Sequence, residues 1–204
     1  MSLIMKILFD VPQDMASHLF CIDCSKEEVR ASRDDQGNLQ LYCRNCDKTS
    51  SRCICLSKAK YWLDKDKTLW HESGGFFVRR TDGKFLFFER DSWPFGLNIP
   101  CGHVDSGETG EQGALRELRE EVGVKPQDYQ LVDEFDFAGD QCSAGADDHH
   151  WSLYVAKLQD GQDVFIKEEG RNLRWLTLEE ALAANLVPSM KTLVERYRNQ
   201  LETA

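Results

Sequence analysis

The sequence has no run of about 18 apolar residues, the length a membrane-spanning helix needs. Its first residues, MSLIMKILFD, lack the long apolar centre of a secretory signal. The expectation is a cytoplasmic protein with reduced thiols and no membrane partner. Basic runs are missing too: 25 Lys and Arg face 35 Asp and Glu, a net charge of −10. Nucleic-acid backbones select clustered Lys and Arg, so a nucleic-acid partner is not expected. A small phosphorylated ligand remains open, because a divalent cation can bridge two negative partners. Prolines number five, with none between Pro126 and Pro188, and no internal repeat is visible. What remains is 41% hydrophobic and 29% charged, as in ordinary globular chains. The 204 residues suffice for one domain and a small companion.

Cysteine is plentiful: eight residues, six of them between positions 21 and 55. Without an export signal, metal binding is the better reading than disulfides. Cys21/Cys24 and Cys43/Cys46 are two Cys-x-x-Cys pairs flanking eighteen residues. Between them, EEVRASR and LQLYC read as strands around the turn DDQGN. Such a hairpin brings both pairs to one end, where four thiolates suit a structural Zn²⁺. The piece is too small to fold on its own core, so the metal would supply its stability. A redox Cys-x-x-Cys needs a βαβ context that is not seen. Cys53 and Cys55 can replace one pair or stay as buried thiols, and His18 reads as a surface histidine. The arrangement resembles a zinc ribbon and sets residues 1–60 apart. Residues 61–73 read as a linker, with or without a short helix.

From residue 74 to 204 the pattern is mixed. FFVRR, TDGK and FLFFER read as strand, turn and strand, and FGLNIPCGHV as a further extended piece. YQLVDEFDFAG, HHWSLYVAKL and VFIKEEG suggest more strands. TLEEALAANL opens with a capping box, Thr177 and Glu180, and SMKTLVERYRNQLE closes as a helix. This is a layered α/β domain.

The stretch GHVDSGETGEQGALRELREEVGV, Gly102 to Val124, carries six carboxylates and two arginines. A helix from about Glu111 to Val122 puts Leu115, Leu118 and Val122 on a buried stripe. Glu117, Glu120 and Glu121 then share another side, at i, i+3 and i+4. The acids repel one another. Basic relief looks thin, since Arg116 precedes Glu120 in the weaker orientation and Lys125 lies past Gly123. Oxygen ligands clustered on a rigid element suit Mg²⁺ or Mn²⁺. The plain alternative is a solvated polar face.

Gly102, five residues, Glu108, seven residues and Arg116-Glu117-Leu118-Arg119-Glu120-Glu121-Val122-Gly123-Val124 match the Nudix box at every defined position, and the chain is identified as resembling the Nudix hydrolase family. The resemblance implies an α/β/α sandwich around a mixed sheet, preceded by the zinc-ribbon-like β module. It implies Mg²⁺- or Mn²⁺-dependent hydrolysis of a nucleoside diphosphate derivative, with a small-molecule substrate and a homodimer among the assemblies to test. Glu117, Glu120 and Glu121 would hold the metals, joined by the carbonyl of Cys101 or Gly102. Arg116 would pair with Glu108 and fix its rotamer. A later acid, Glu169 in preference to Glu168, would complete the set; Glu117 or Glu169 would take the proton of the attacking water. Asp147 to His150 is a second loop candidate, and Trp151 and Phe88 are candidates for base stacking against a reading as core. Cys101 stands where the family often has Gly, which strains the loop only if that position needs positive φ. A ribbon before such a domain is similar to the NADH pyrophosphatase branch, whose Ser-Gln-Pro-Trp array after the box is absent; SWPF lies before it. Two other readings are a non-hydrolytic Nudix binding module and a nucleic-acid-associated ribbon protein.

Overall fold

The computed structural model describes residues 5–12, 14, 16–159, 161–167 and 170–203. The cysteine-rich part holds β1 (His18–Cys21), β2 (Val29–Arg33), β3 (Leu39–Cys43), β4 (Lys48–Ser50) and β5 (Cys53–Leu56). The β2, β3 and β4 strands form an antiparallel sheet and β1 pairs with β5. As the turn residues predict, the β2–β3 hairpin closes over positions 34–38, where Gly37 takes φ +81° and Asp34 accepts the N–H groups of Gln36 and Asn38.

The remaining strands are β6 (Tyr61–Leu63), β7 (Leu69–Arg79), β8 (Phe85–Arg90), β9 (Leu97–Asn98), β10 (Cys101–His103), β11 (Tyr129–Ala138), β12 (Asp148–Lys157) and β13 (Gly170–Leu176). The helices are α1 (Gly110–Val122), α2 (Leu178–Leu182) and α3 (Pro188–Thr203). The sheet runs β11-β12-β7-β8-β13, with β6 and β10 on β7 and β9 on β8. It is mixed, because β12 lies parallel to β7 while the other pairs are antiparallel. The family-type sandwich, with its cysteine-rich β module in front, is thus the observed architecture.

Strand alternation explains why both faces are covered. Successive side chains of a strand point to opposite faces. Phe77, Phe85 and Phe87 join Leu153, Met190, Leu193 and Val194 under α3. Phe76, Val78, Leu86 and Phe88 join Ala114, Leu118 and Val122 under α1. A strand buried on both sides reads as a continuous apolar run, which is what FFV and FLFF are. Phe88 is therefore core, not a base-stacking ring.

Two sequence expectations change. Residues 61–73 are not a helical linker: Tyr61–Leu63 and Leu69 onward pair as β6 and β7, with Trp62 opposite Trp70. Leu69 also packs with Phe20, Ile54 and Leu56, so one apolar cluster joins the cysteine-rich part to the sheet. The segment VFIKEEG does not form a strand through position 167, and β13 starts at Gly170. Phe165 is half exposed, and the Phe165 and Lys167 N–H groups bond to the last turn of α1 rather than to a sheet neighbour.

Candidate functional site

Local chemistry sets the start and end of α1. Thr109 accepts the N–H of Gln112 and Gln112 caps Thr109 in return, a reciprocal box that satisfies two orphan donors. Gly123 ends the helix in the left-handed region at φ 76°. One face is buried through Ala114, Leu118 and Val122, with Leu115 partly buried beside them.

The other face carries the acids, and Arg116 organises them. Its Nε donates to Glu108 Oε1 at 3.0 Å and its Nη2 to the His103 carbonyl at 2.8 Å. Its Nη1 reaches Glu117 Oε1 at 2.5 Å and Glu120 Oε2 at 3.3 Å. These bonds hold the Glu108 carboxyl below its ordinary pKa, chiefly through the Arg116 hydrogen bond. Basic relief is therefore less thin than the sequence spacing suggests: one guanidinium serves three glutamates, and Arg119 comes within 3.6 Å of Glu120.

The three helix acids differ in setting. Glu120 is exposed, Glu117 half-buried and Glu121 only 6% exposed. Glu121 Oε2 accepts the Cys101 N–H at 2.8 Å. Glu117 lies directly on Gly102, where an added Cβ would sit 2.4 Å from its carboxyl carbon. Cys101 has no positive φ, so its side chain costs the loop no strain of that kind. Its thiol accepts from Asn98 Nδ2 at 3.2 Å, and burial raises its pKa beyond the ordinary thiol range. Glu117, Glu120 and Glu121 share one side of α1 and offer the oxygen donors that a hard cation such as Mg²⁺ or Mn²⁺ takes, but their carboxylates do not gather into one close donor group, as the cysteine and histidine clusters do among the described residues. Glu169 and Glu168 lie outside the described residues.

Gly102→Ala tests this packing. The clash falls on the end of a flexible side chain, so the expected result is a nearly unchanged melting temperature with a clear fall in kcat as Glu117 is displaced. Kinetics and thermal unfolding on the same sample check it.

Glu117 and Glu120 border a cavity of about 560 Å³ whose walls come from both parts of the chain. Arg33 and Lys58 contribute from the cysteine-rich side, Arg90 and Asp140 from the sheet side. The β2–β3 hairpin is fastened there by Arg33, which donates to Asp91 at 2.6 Å, and by Arg171, which donates to Gln36 and Asn38. Of the Asp147–His150 group only His149 lines the cavity. Asp147 pairs with Arg52 at 2.7 Å, Asp148 accepts from Gly139 and His150 meets Asp136. Trp151 is 4% exposed and donates its indole N–H to Asp140, so it is wall rather than stacking platform.

His71, His103 and His149 gather near the cavity with Cys142. Burial, the largest cause, keeps these imidazoles neutral: His103 is pushed down to about 3, His149 to about 4 and His71 well below its ordinary value. Sequence reasoning had His149 within the Asp147–His150 candidate but did not join it to His71, His103 and Cys142, because these come from different segments and no local spacing marks them; it also passed over Arg90, which lines the cavity.

The four predicted cysteines come together. Donor atoms of Cys21, Cys24, Cys43 and Cys46 lie within 4.8 Å of one another. The Cys21–Cys46 and Cys24–Cys43 sulfur separations are 3.7 Å, against about 3.8 Å for the edge of a tetrahedron with Zn–S near 2.3 Å. The residues therefore fit zinc. Cys53 and Cys55 sit in β5 outside this group, and burial raises Cys53 to about 12. His18 is held by Asp14 and Glu27 instead.

A family model described as NUDIX domain matches residues 70–197. The 8-oxo-dGTP diphosphatase of Escherichia coli (strain K12) is 26% identical over 102 residues, covering 50% of this chain and 74% of that protein. The asymmetrical bis(5'-nucleosyl)-tetraphosphatase of Caenorhabditis elegans is 27% identical over 133 residues, 61% of this chain and 91% of that one. Among solved structures, a binary complex of a C. elegans Ap4A hydrolase aligns with a TM-score of 0.54 and 24% identity, over 65% of this chain and 98% of that one. No helix among the described residues is long and apolar enough to cross a membrane. The matched span covers more than half of the chain and takes in β7, the glutamate helix and the sheet wall of the cavity, and the protein belongs to the Nudix family.

Proposed function

We propose that the protein is a pyrophosphohydrolase that cleaves a P–O–P linkage in a nucleoside diphosphate derivative, such as a dinucleotide or nucleotide sugar. The products are a nucleoside monophosphate and a second phosphorylated compound. The observation that carries this reading is the glutamate face of α1 at the edge of a cavity, organised by Arg116 and approached closely by Gly102. The relatives support it, since each is named for hydrolysis of a nucleotide di- or polyphosphate.

Glu117, Glu120 and Glu121 would hold the divalent metal, with the Cys101 or Gly102 carbonyl and Glu169 as further ligands. When bound, the ion neutralises phosphate charge and acidifies a water. Arg116 keeps Glu117 and Glu120 oriented, and Glu117 or Glu169 receives the proton of the attacking water. Arg90 bonds to Ser92 and makes no ion pair among the described residues, so its guanidinium is placed to take a substrate phosphate oxygen.

The test is a panel of nucleoside diphosphate derivatives incubated in ¹⁸O-water, with and without Mg²⁺ or Mn²⁺. The expected result is metal-dependent turnover with label on a phosphate product. Hydrolysis of phosphomonoesters alone, or full turnover in excess chelator, overturns the reading.

A further inference from the structure

Outside the glutamate patch, three histidines and a cysteine meet where four segments converge. His71 lies on β7, His103 on β10, His149 on β12, and Cys142 follows β11 in the loop. One donor atom of each lies within 4.8 Å of the others. His71 Nδ1 is 3.1 Å from His103 Nε2 and 3.7 Å from Cys142 Sγ. A tetrahedral zinc with ordinary bond lengths sets N–N and N–S edges of about 3.3 and about 3.6 Å, close to both distances.

Hydrogen bonding accounts for this cluster only in part: His71 Nδ1 is within hydrogen-bond reach of His103 Nε2 and Cys142 Sγ. His71 and His149 are 0% and 3% exposed. Even so, His71 Nε2 and His149 Nδ1 have no hydrogen-bond partner among the described residues. Buried polar atoms are normally paired, but His71 meets His103 and Cys142 through Nδ1, so its unpaired Nε2 is not the atom those contacts bring into the cluster, and the case for an ion rests on the donor distances. A cation would use the lone pairs of three neutral imidazoles and a thiolate together, and Cys142 would release its proton to solvent on binding. Asp140 Oδ2 lies 3.4 Å from His149 Nδ1, and a carboxylate beside a ligating histidine is the usual support for such a ligand.

We propose that His71, His103, Cys142 and His149 form a second transition-metal site, which takes zinc. Three imidazoles and one thiolate suit zinc rather than magnesium, and four protein ligands make a closed, structural site. It is distinct in chemistry from both the oxygen donors of α1 and the four thiolates of the ribbon. Its position gives it a purpose. His103 follows Gly102 directly, and its carbonyl accepts the Arg116 Nη2. The Cys142 carbonyl accepts Arg52 Nε at 2.9 Å, and Cys53 and Cys55 bond to the same loop through Ser143 and Ala144. A metal here fastens the start of the Nudix box to the sheet and to the cysteine-rich module.

The experiment uses the untagged full chain, saturated with zinc and desalted. Zinc is counted by elemental analysis and its ligand shell read by X-ray absorption. The expected result is two zinc ions per chain and nitrogen as well as sulfur in the shell. In His149→Ala the count falls to one and the nitrogen contribution drops. Cys43→Ser also falls to one but keeps nitrogen. A shell of sulfur alone in the unaltered chain, at any count, overturns the proposal whether or not the variants fold. So does a His149→Ala chain that retains two zinc ions and an unchanged shell.

Discussion

Glu120→Gln is expected to lower kcat by about two to three orders of magnitude, roughly 3–4 kcal/mol of transition-state stabilisation, while the melting temperature holds or rises slightly. The two halves of this result have separate causes. Glu120 has a half-exposed side chain whose contacts are to Arg116 and Arg119 on the helix surface. Exposed pairs of this kind contribute little to stability, and removing one of three neighbouring negative charges relieves repulsion. The charge is missed only when a cation and a polyphosphate must be held together. Glu121→Gln separates the cases. Its carboxylate is buried and accepts the Cys101 N–H, so the amide trades a charged acceptor for a neutral one and adds a buried donor, a cost of about 1–3 kcal/mol, besides removing the charge of a proposed metal ligand. Turnover and melting temperature are both expected to fall there. Steady-state kinetics beside thermal unfolding of the two variants decides it. A Glu120→Gln enzyme with normal turnover would remove that residue from the ligand set.

This contrast was only half legible in the sequence. Spacing alone puts Glu117, Glu120 and Glu121 on one side of a helix, and the Thr177–Glu180 capping box is a local pattern read directly, whereas the Thr109–Gln112 box emerged only with the structure. Burial is not local. Glu121 is buried because β10 passes beside it and offers the Cys101 N–H, a partner twenty positions away. Arg116 looked badly placed for Glu120 by its i, i+4 orientation, yet its guanidinium also takes Glu108, Glu117 and the His103 carbonyl. The loop between Gly102 and α1 brings those groups to it. The ribbon was readable for the opposite reason: paired Cys-x-x-Cys motifs around a hairpin encode their own geometry. Residues 61–73 were misread because Lys and Asp interrupt the apolar pattern, while the pairing that makes them strands comes from β7. The histidine cluster had no sequence signature, since its members are brought together by the parallel β7–β12 register, His71 opposite His149, and by β10 folding back on β7.

Cys43→Ser is expected to unfold the ribbon and to raise KM far more than it lowers kcat. The ribbon sheet has little apolar support of its own: β2 is mostly exposed, and β3 buries Leu41 and Cys43. Binding of structural zinc in small modules contributes on the order of 10–16 kcal/mol, more than such a piece can replace by packing. Cys43 is the right position to change because it is 2% exposed and its sulfur stands 3.7 Å from Cys24. The functional consequence follows from the hairpin's place in the cavity wall. Arg33 and Leu39 line it and are tied to Asp91, one residue past β8. When the hairpin loosens, one wall of the substrate site is lost. The glutamate helix rests instead on the Phe76, Leu86 and Phe88 cluster, so the chemical step keeps its supports. Hydrogen exchange over residues 18–50, run with kinetics in excess Mg²⁺, tests both parts. Loss of protection confined to that stretch, with a raised KM and a largely retained kcat, is the expected outcome. Unchanged protection would show that the four cysteines do not carry the module's stability, and an equal fall in kcat would show that the ribbon reaches the chemical step.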